Sequence, residues 1–134
     1  MKDLAAPRAQ TDTILVTDAG FCPADGAEML DLAPDADHAT LAHAAAGTAP
    51  IRIAFASFAD GRGFTIARRL RQMGFAGRLR ASGHVLADQY AMARRSGFDE
   101  VEIDAALAAR QPEDQWRARA DWQAHDHRSR LRRP

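Results

Sequence analysis

The chain has 134 residues, of which 46% are hydrophobic and 27% charged, and its formal net charge is zero. These values predict one folded domain with a sizeable core, and they exclude a wholly disordered chain and a strongly basic nucleic-acid binder. No apolar run approaches about 18 residues and no signal-peptide pattern follows Met1, so we expect a soluble cytoplasmic protein that does not contact a membrane.

The cysteine and lysine content limits which kinds of functional site the chain can contain. Cys22 is the only cysteine, which excludes an internal disulfide and an all-cysteine metal or cluster site, so we expect neither a metal nor a cofactor. Its neighbours favour a loop that holds a buried or half-buried, inert thiol. Lys2 is the only lysine among 18 basic residues, so the arginine content by itself is poor evidence of phosphate or nucleic-acid binding.

The first part of the chain predicts two strands and one helix. A loose lead-in over residues 1–11 precedes a strand over 13–17, and weak alternation predicts a second strand over 28–32. Acidic residues come just before an alanine-rich helix over 38–46, where the helix dipole favours them, and Gly47 is a suitable stop.

From residue 51 onward a strand-helix pattern repeats. Twice a helix closes with glycine and phenylalanine before a strand begins, which predicts that the phenylalanines pack under the helices. The predicted elements are strand 51–56, helix 63–73, strand 78–82, helix 85–96 and strand 100–103. We therefore predict a single α/β domain over residues 1–122, with a small, open, mostly parallel sheet of four or five strands built from β-α-β-α-β units.

The C-terminal part predicts a helix and a tail. Residues 104–122 have a helical pattern with a break at 111–114, where a proline favours a new start. Trp116 and Trp122 are six positions apart and cannot share one narrow stripe of a straight helix, so we expect one on the domain and the other at an edge. The basic stretch 123–134 predicts a flexible, solvated tail, with a nucleic-acid or acidic partner as the alternative.

The stretch 57–64 follows the best strand and opens a helix, which is where open parallel sheets bind ligands. Gly61 and Gly63 allow a ligand to approach the main chain, and the free N–H groups of a first helical turn attract anions. Arg62 adds a guanidinium suited to an oxyanion. The alternative is a tight turn in which Asp60 caps the helix and Arg62 is exposed, and the stretch is neither a P-loop nor a dinucleotide fingerprint.

The next strand is unusually polar for the interior of a parallel sheet. Arg78, Arg80 and Ser82 alternate with apolar residues, so the strand lies at an edge or Arg80 points toward a compensating group. Asp60 and Asp88 are the predicted partners if Arg80 forms a structural ion pair. The alternative is that Arg80 binds an anion.

The loop after this strand places further polar residues beside the Asp60 loop. His84 could act as an acid or base or could form only loop hydrogen bonds, and no nucleophile signature accompanies it, so the catalytic residues stay unknown. The predicted anion-binding rim comprises Asp60, Gly61, Arg62, Gly63, Arg80, Ser82, His84, Asp88 and Gln89.

These motifs together resemble a bacterial family called domain of unknown function 934. The resemblance covers roughly residues 51–103, with weaker similarity upstream, and the motif positions match Asp60, Gly61, Arg62, Arg80, Asp88 and Gln89. Members are often encoded beside assimilatory sulfite reductase, and some are labelled oxidoreductases without an established mechanism. The resemblance implies a role in or near sulfite reduction. Typical members have an acidic residue where this chain has His84, which weakens any catalytic role for that position.

Three functions follow as expectations. The first is an accessory protein of sulfite assimilation that binds an oxyanion or sulfite reductase. The second is a small-molecule enzyme with the Asp and Arg rim as its active site, an oxidoreductase if the label that some members carry applies to this chain. The third is a nucleic-acid or regulatory module that uses the arginines of 128–133, although the neutral net charge argues against a nucleic-acid partner. Edge strands of a small open sheet would also allow a homodimer.

Overall fold

The computed structural model describes residues 13–123, which form one six-stranded sheet and its helices. The strands are β1 Thr13–Thr17, β2 Gly20–Pro23, β3 Leu30–Leu32, β4 Ile51–Phe55, β5 Leu79–Gly83 and β6 Glu100–Asp104. The helices are α1 His38–Ala46, α2 Arg62–Gln72, α3 Tyr90–Ser96 after a 3₁₀ turn at Ala87–Gln89, α4 Ala105–Arg110 and α5 Glu113–Arg117. The order across the sheet is β2-β1-β6-β5-β4-β3.

The predicted α/β class with a mostly parallel sheet and C-terminal helices is confirmed. Strands β3 to β6 run parallel, and the hairpin β1-β2 adds two antiparallel strands, so the sheet has six strands instead of four or five. The extra strand is Gly20–Pro23, where the sequence predicts a loop. Cys22 is therefore exposed on an edge strand, and the prediction of a buried or half-buried thiol is wrong. Pro23 fits there because an edge strand tolerates a missing N–H donor.

The helices cover one face of the sheet. The four parallel strands lie in sequence order, so crossovers of one hand place α1, α2 and α3 on the same side. The predicted packing of phenylalanines under these helices is confirmed, since Phe75 and Phe98 are buried. The Phe55 ring lies 4.9 Å from that of Phe64 and 5.9 Å from that of Phe98. The core consequently lies between the sheet and this helical layer.

Helix boundaries follow local chemistry. The predicted helix over 38–46 is confirmed. It begins at His38 because the Asp37 side chain caps it by accepting a hydrogen bond from the Thr40 N–H at 2.9 Å. The predicted break in the last helix is also confirmed at Pro112, between α4 and α5, but α5 ends at Arg117 and not at residue 122 as predicted. Trp116 is buried 6.2 Å from the Tyr90 ring, whereas Trp122 is half-buried, with its ring 4.7 Å from the guanidinium carbon of Arg94.

The connection from β2 to β3 crosses the face of the sheet that the helices leave open. These two strands form opposite edges, five strand spacings or about 24 Å apart. Only residues 24–29 join them, and such a segment reaches at most about 25 Å when extended. Asp25, within this segment, contacts Arg80 of β5 in the middle of the sheet. We call residues 24–29 the strap.

Within residues 13–123, no helix has the length and apolar character needed to span a bilayer. The predicted lead-in over 1–11 and the predicted tail over 123–134, apart from Gln123, lie outside the described residues.

Candidate functional site

The sheet face beneath the strap carries charged side chains in register. Arg80 of β5 lies opposite Arg52 of β4 on one side and Glu100 of β6 on the other. Asp31 of β3 lies opposite Arg52 at the sheet edge. Because side chains alternate between the two faces of a strand, neighbours such as Ile53 and Ala81 point into the core, and the charged residues share the opposite face.

Arg80 is the centre of this ion-pair network. Its Nε donates to Glu100 Oε2 at 2.7 Å, Nη1 to Glu102 Oε1 at 2.8 Å, and Nη2 to Asp25 Oδ1 at 3.0 Å. Only 2% of the residue is exposed. Burial would lower the pKa of Arg80, but hydrogen bonds from the guanidinium to the three carboxylates outweigh it and raise the pKa. Arg80 is thus a fully charged, fully paired structural residue.

The predicted partners of Arg80 are wrong. Asp60 binds Arg62 instead, and Asp88 binds Arg119 at 2.5 Å on the exposed surface. Arg80 projects from the middle of β5 onto the sheet face, so its side chain does not reach the loops at the carboxyl end of the strand. The structural ion pair, one of the two interpretations left open by the sequence, is what the structure contains.

The strap is held by the same network. Arg78 Nη2 donates to Asp25 Oδ2, and Arg78 Nε lies 2.8 Å from Glu100 Oε2. Burial would raise the pKa of Asp25, but hydrogen bonds from Arg78, the Ala27 N–H and Arg80 outweigh it and place the pKa well below its usual range. Asp25 therefore stays ionised and fastens the strap across the sheet.

Arg52 extends the network to the sheet edge. Its Nε and Nη2 donate to Asp31 at 2.6 and 3.1 Å, and its Nη1 donates to Glu102 Oε1 at 3.3 Å. The hydrogen bonds to Asp31 raise the pKa of Arg52. Three arginines and four carboxylates are therefore linked on one face.

In the predicted rim, Asp60 and Arg62 bind each other. Nε and Nη2 of Arg62 donate to the two carboxylate oxygens at 2.9 Å each, although 60% of the arginine side chain is exposed. The side-chain hydrogen bonds from Arg62, with that from its N–H, lower the pKa of Asp60 to about 2. Gly61 precedes the first residue of α2, and a Cβ at Gly63 would lie 2.5 Å from the Phe55 ring. Gly63 thus permits close packing of helix on strand.

The two loops of the rim are tied together by Gln89. Its Oε1 accepts from the Leu86 N–H at 2.8 Å, and its Nε2 donates to the Phe58 carbonyl at 2.9 Å. The ring of His84 meets that of Phe58 edge-on at 5.1 Å. The loops after β4 and β5 are therefore adjacent, as the parallel sheet predicted. Whether these residues bind a ligand stays a prediction.

A cavity of about 140 Å³ lies at the carboxyl ends of β5 and β6. Thr13 of the antiparallel β1 pairs with Asp104 there, so three strands contribute to its walls. The polar groups that line it belong to Thr13, Ser82, His84, Glu102, Asp104 and Arg110. Of the predicted site residues, only Ser82 and His84 line this cavity.

The sequence analysis missed Glu100 and Glu102 as partners of Arg80, although their positions in the sequence indicate that role. Glu100 and Glu102 alternate with Val101 and Ile103, which mirrors the alternation around Arg80 on the preceding strand. Two neighbouring parallel strands with complementary charges on one face would place opposite charges in contact. Neither Thr13 nor Arg110 carried any local signal. Within residues 13–123, no group of His, Cys, Asp and Glu side chains is arranged to hold a metal.

The fold and its charged face define a class of small α/β protein, with a sheet covered by helices on one side and by an ion-pair network and a strap on the other. The chain belongs to the family described as bacterial protein of unknown function (DUF934), whose model matches residues 29–131. This range includes residues 51–103, which carry the motifs. Comparison with curated proteins and with solved structures gave no significant match.

Proposed function

We propose that this protein is an accessory protein of assimilatory sulfite reduction and that it acts by binding sulfite reductase. The biological setting is the one that the family resemblance implies, a place beside that enzyme in the genome. The observation that supports binding over catalysis is that Asp60, Arg62, Arg80 and Asp88 of the predicted rim are all engaged in ion pairs within the protein. Arg62 binds Asp60, Asp88 binds Arg119, and Arg80 binds three carboxylates.

Because the arginines of the rim are bound to carboxylates of the protein, few of their N–H donors could stabilise charge on a substrate. A catalytic arginine acts by stabilising charge that develops on a substrate, and for that its N–H donors must face the substrate. All three nitrogens of Arg80 donate to carboxylates, and only 2% of the residue is exposed. A sulfite ion at Arg62 would have to displace Asp60, whose two oxygens already match the guanidinium. We therefore favour the protein partner over the oxyanion.

The edge strand β3 gives a surface for this contact. Its outer side has no neighbouring strand within the described sheet, and Leu30 is 41% exposed. A shallow apolar groove beside it is lined by Leu32, Ala39, Thr40 and Ala44. Exposed apolar surface next to an open strand edge is suited to docking against another protein.

Purified components test the proposal directly. We expect the purified protein to bind purified sulfite reductase in a pull-down and in surface plasmon resonance. Leu30→Glu should weaken that binding, whereas Met92→Glu serves as the matched control, since Met92 is 50% exposed on α3, on the helical side. Absence of binding to sulfite reductase, or equal weakening by both variants, would contradict the proposal.

A genetic experiment tests the setting. A strain that lacks the gene should grow poorly with sulfate as its sulfur source and should recover with sulfide, because sulfide enters after the sulfite-reducing step. Equal growth on both sources would remove the link to sulfite reduction, whatever the outcome of the binding experiment.

The small-molecule enzyme has less support as an alternative. Its proposed active site required Arg80 beside Asp60 and Asp88, and these side chains lie in three separate ion pairs. The arginines of 128–133, on which the nucleic-acid alternative depends, lie outside the described residues.

A further inference from the structure

The cavity at the ends of β5 and β6 has room for a very small metabolite. Its volume of about 140 Å³ corresponds to about five water molecules, well below the several hundred Å³ of a pocket for a drug-sized molecule. Its apolar lining comes from Phe58, Ile103 and Leu107. A ligand of this cavity must therefore be small and compact.

Two carboxylates of the cavity each have one oxygen committed to the fold. Glu102 Oε1 accepts from Arg80 at 2.8 Å and from Arg52 at 3.3 Å, and Asp104 Oδ1 accepts from the Leu107 N–H at 2.7 Å. Among residues 13–123, the second oxygen of each carboxylate receives no hydrogen bond. These two oxygens are acceptors suited to an ammonium group.

Besides Ser82 and His84, the polar lining includes a positive group and a hydroxyl. Arg110, the last residue of α4, lines the same cavity and forms no ion pair with the described part of the chain. Thr13 Oγ1 is buried and has no hydrogen-bond partner among residues 13–123. Buried polar atoms are nearly always paired, so this hydroxyl is a group that a bound ligand would satisfy.

We propose that this cavity binds a small zwitterion of the α-amino acid class. The ligand ammonium contacts the free oxygens of Glu102 and Asp104, the ligand carboxylate contacts Arg110, and a polar atom of the ligand satisfies Thr13 Oγ1. A simple oxyanion would meet two carboxylates, and a simple amine would meet the guanidinium, so only a ligand with both charges complements the lining. This inference does not depend on the proposed function.

Isothermal titration of the full-length protein tests it with glycine, L-alanine, L-serine and L-cysteine as probes. Propionate, ethylamine and sulfate are the matched ligands that carry one kind of charge only. We expect at least one of the four amino acids to bind and the three single-charge ligands to bind at least tenfold more weakly. Failure of all four amino acids to bind, or equal binding of any single-charge ligand, would overturn the proposal.

Variants locate the site. Asp104→Asn retains an N-cap side chain but removes its charge, and Arg110→Met retains much of the length of the side chain. Each should weaken amino-acid binding about tenfold or more, whereas Arg69→Ala on α2 should leave it unchanged. Circular dichroism confirms that each variant is folded. Unchanged binding in both cavity variants would also overturn the proposal, and because sulfite reductase is absent, its failure would not affect the proposed function.

Discussion

Arg80 and Glu100 occupy the same register position on neighbouring parallel strands, and Arg80 Nε lies 2.7 Å from Glu100 Oε2. Both residues are buried, with exposed fractions of 2% and 6%. Burying a charge is costly unless it is paired and hydrogen-bonded, and the remaining guanidinium nitrogens are satisfied by Glu102 and Asp25. A shift of register would leave these charges unpaired, so the network specifies how β5 aligns with β6.

Removal of Arg80 should be strongly destabilising. Arg80→Ala leaves Glu100 and Glu102 buried without their central partner, so we expect a loss of about 3–5 kcal/mol in the free energy of unfolding. Urea denaturation monitored by circular dichroism measures this. Arg62→Ala is the control from the same predicted rim. Its free energy of unfolding should stay near that of the wild type, because the Arg62 side chain is 60% exposed. Similar effects of the two substitutions would contradict this assignment.

The contribution of Asp25 should depend on pH. Its pKa in the folded protein lies well below the unfolded value of about 3.9, so its ion pairs add stability above that value, and this stability is lost as the pH falls through the folded pKa. Asp25→Asn should therefore melt below the wild type at pH 7, and the difference should narrow steadily from about pH 5 toward pH 2. A difference that is constant or grows on acidification would show that Asp25 does not act through its charge.

Gln89 should stabilise the two loops of the rim. Gln89→Ala removes the hydrogen bonds to the Leu86 N–H and the Phe58 carbonyl, so we expect a loss of about 1–2 kcal/mol in the free energy of unfolding. Gln72→Ala, at the exposed end of α2, is the control and should be nearly neutral. Faster amide exchange at Leu86 in Gln89→Ala would identify the loop contact as the cause, and unchanged exchange would argue against it.

Gly83 and Gly74 allow the cost of steric overlap to be separated from the cost of backbone strain. Both have positive φ angles, 111° and 97°, so a side chain is strained at either position. A Cβ at Gly83 would also lie 2.7 Å from the Phe55 carbonyl oxygen, whereas nothing lies within 4 Å of a Cβ at Gly74. We expect Gly83→Ala to lower the free energy of unfolding by about 1–3 kcal/mol more than Gly74→Ala. Equal losses in chemical denaturation would mean that β4 and β5 separate at little cost.

The candidate site was only partly predictable from the sequence. The adjacency of the loops that contain Asp60 and His84 follows from parallel strands in sequence order, and the Phe58–Gln89 hydrogen bond fits it. Thr13 could not be assigned to the cavity, because β1 joins β6 only through a long-range antiparallel pairing. Nothing near residue 13 in the chain indicates that partner.

Local sequence patterns predicted the succession of strands and helices apart from β2, and they showed that Arg80 leaves the apolar pattern of its strand. These are local properties, since periodicity and helix caps depend on residues a few positions apart. Tertiary structure alone decided which carboxylates bind Arg80, because its partners lie 20, 22 and 55 positions away along the chain. These residues come into contact only when β6 pairs with β5 and the strap crosses the sheet. Both of these depend on the fold as a whole.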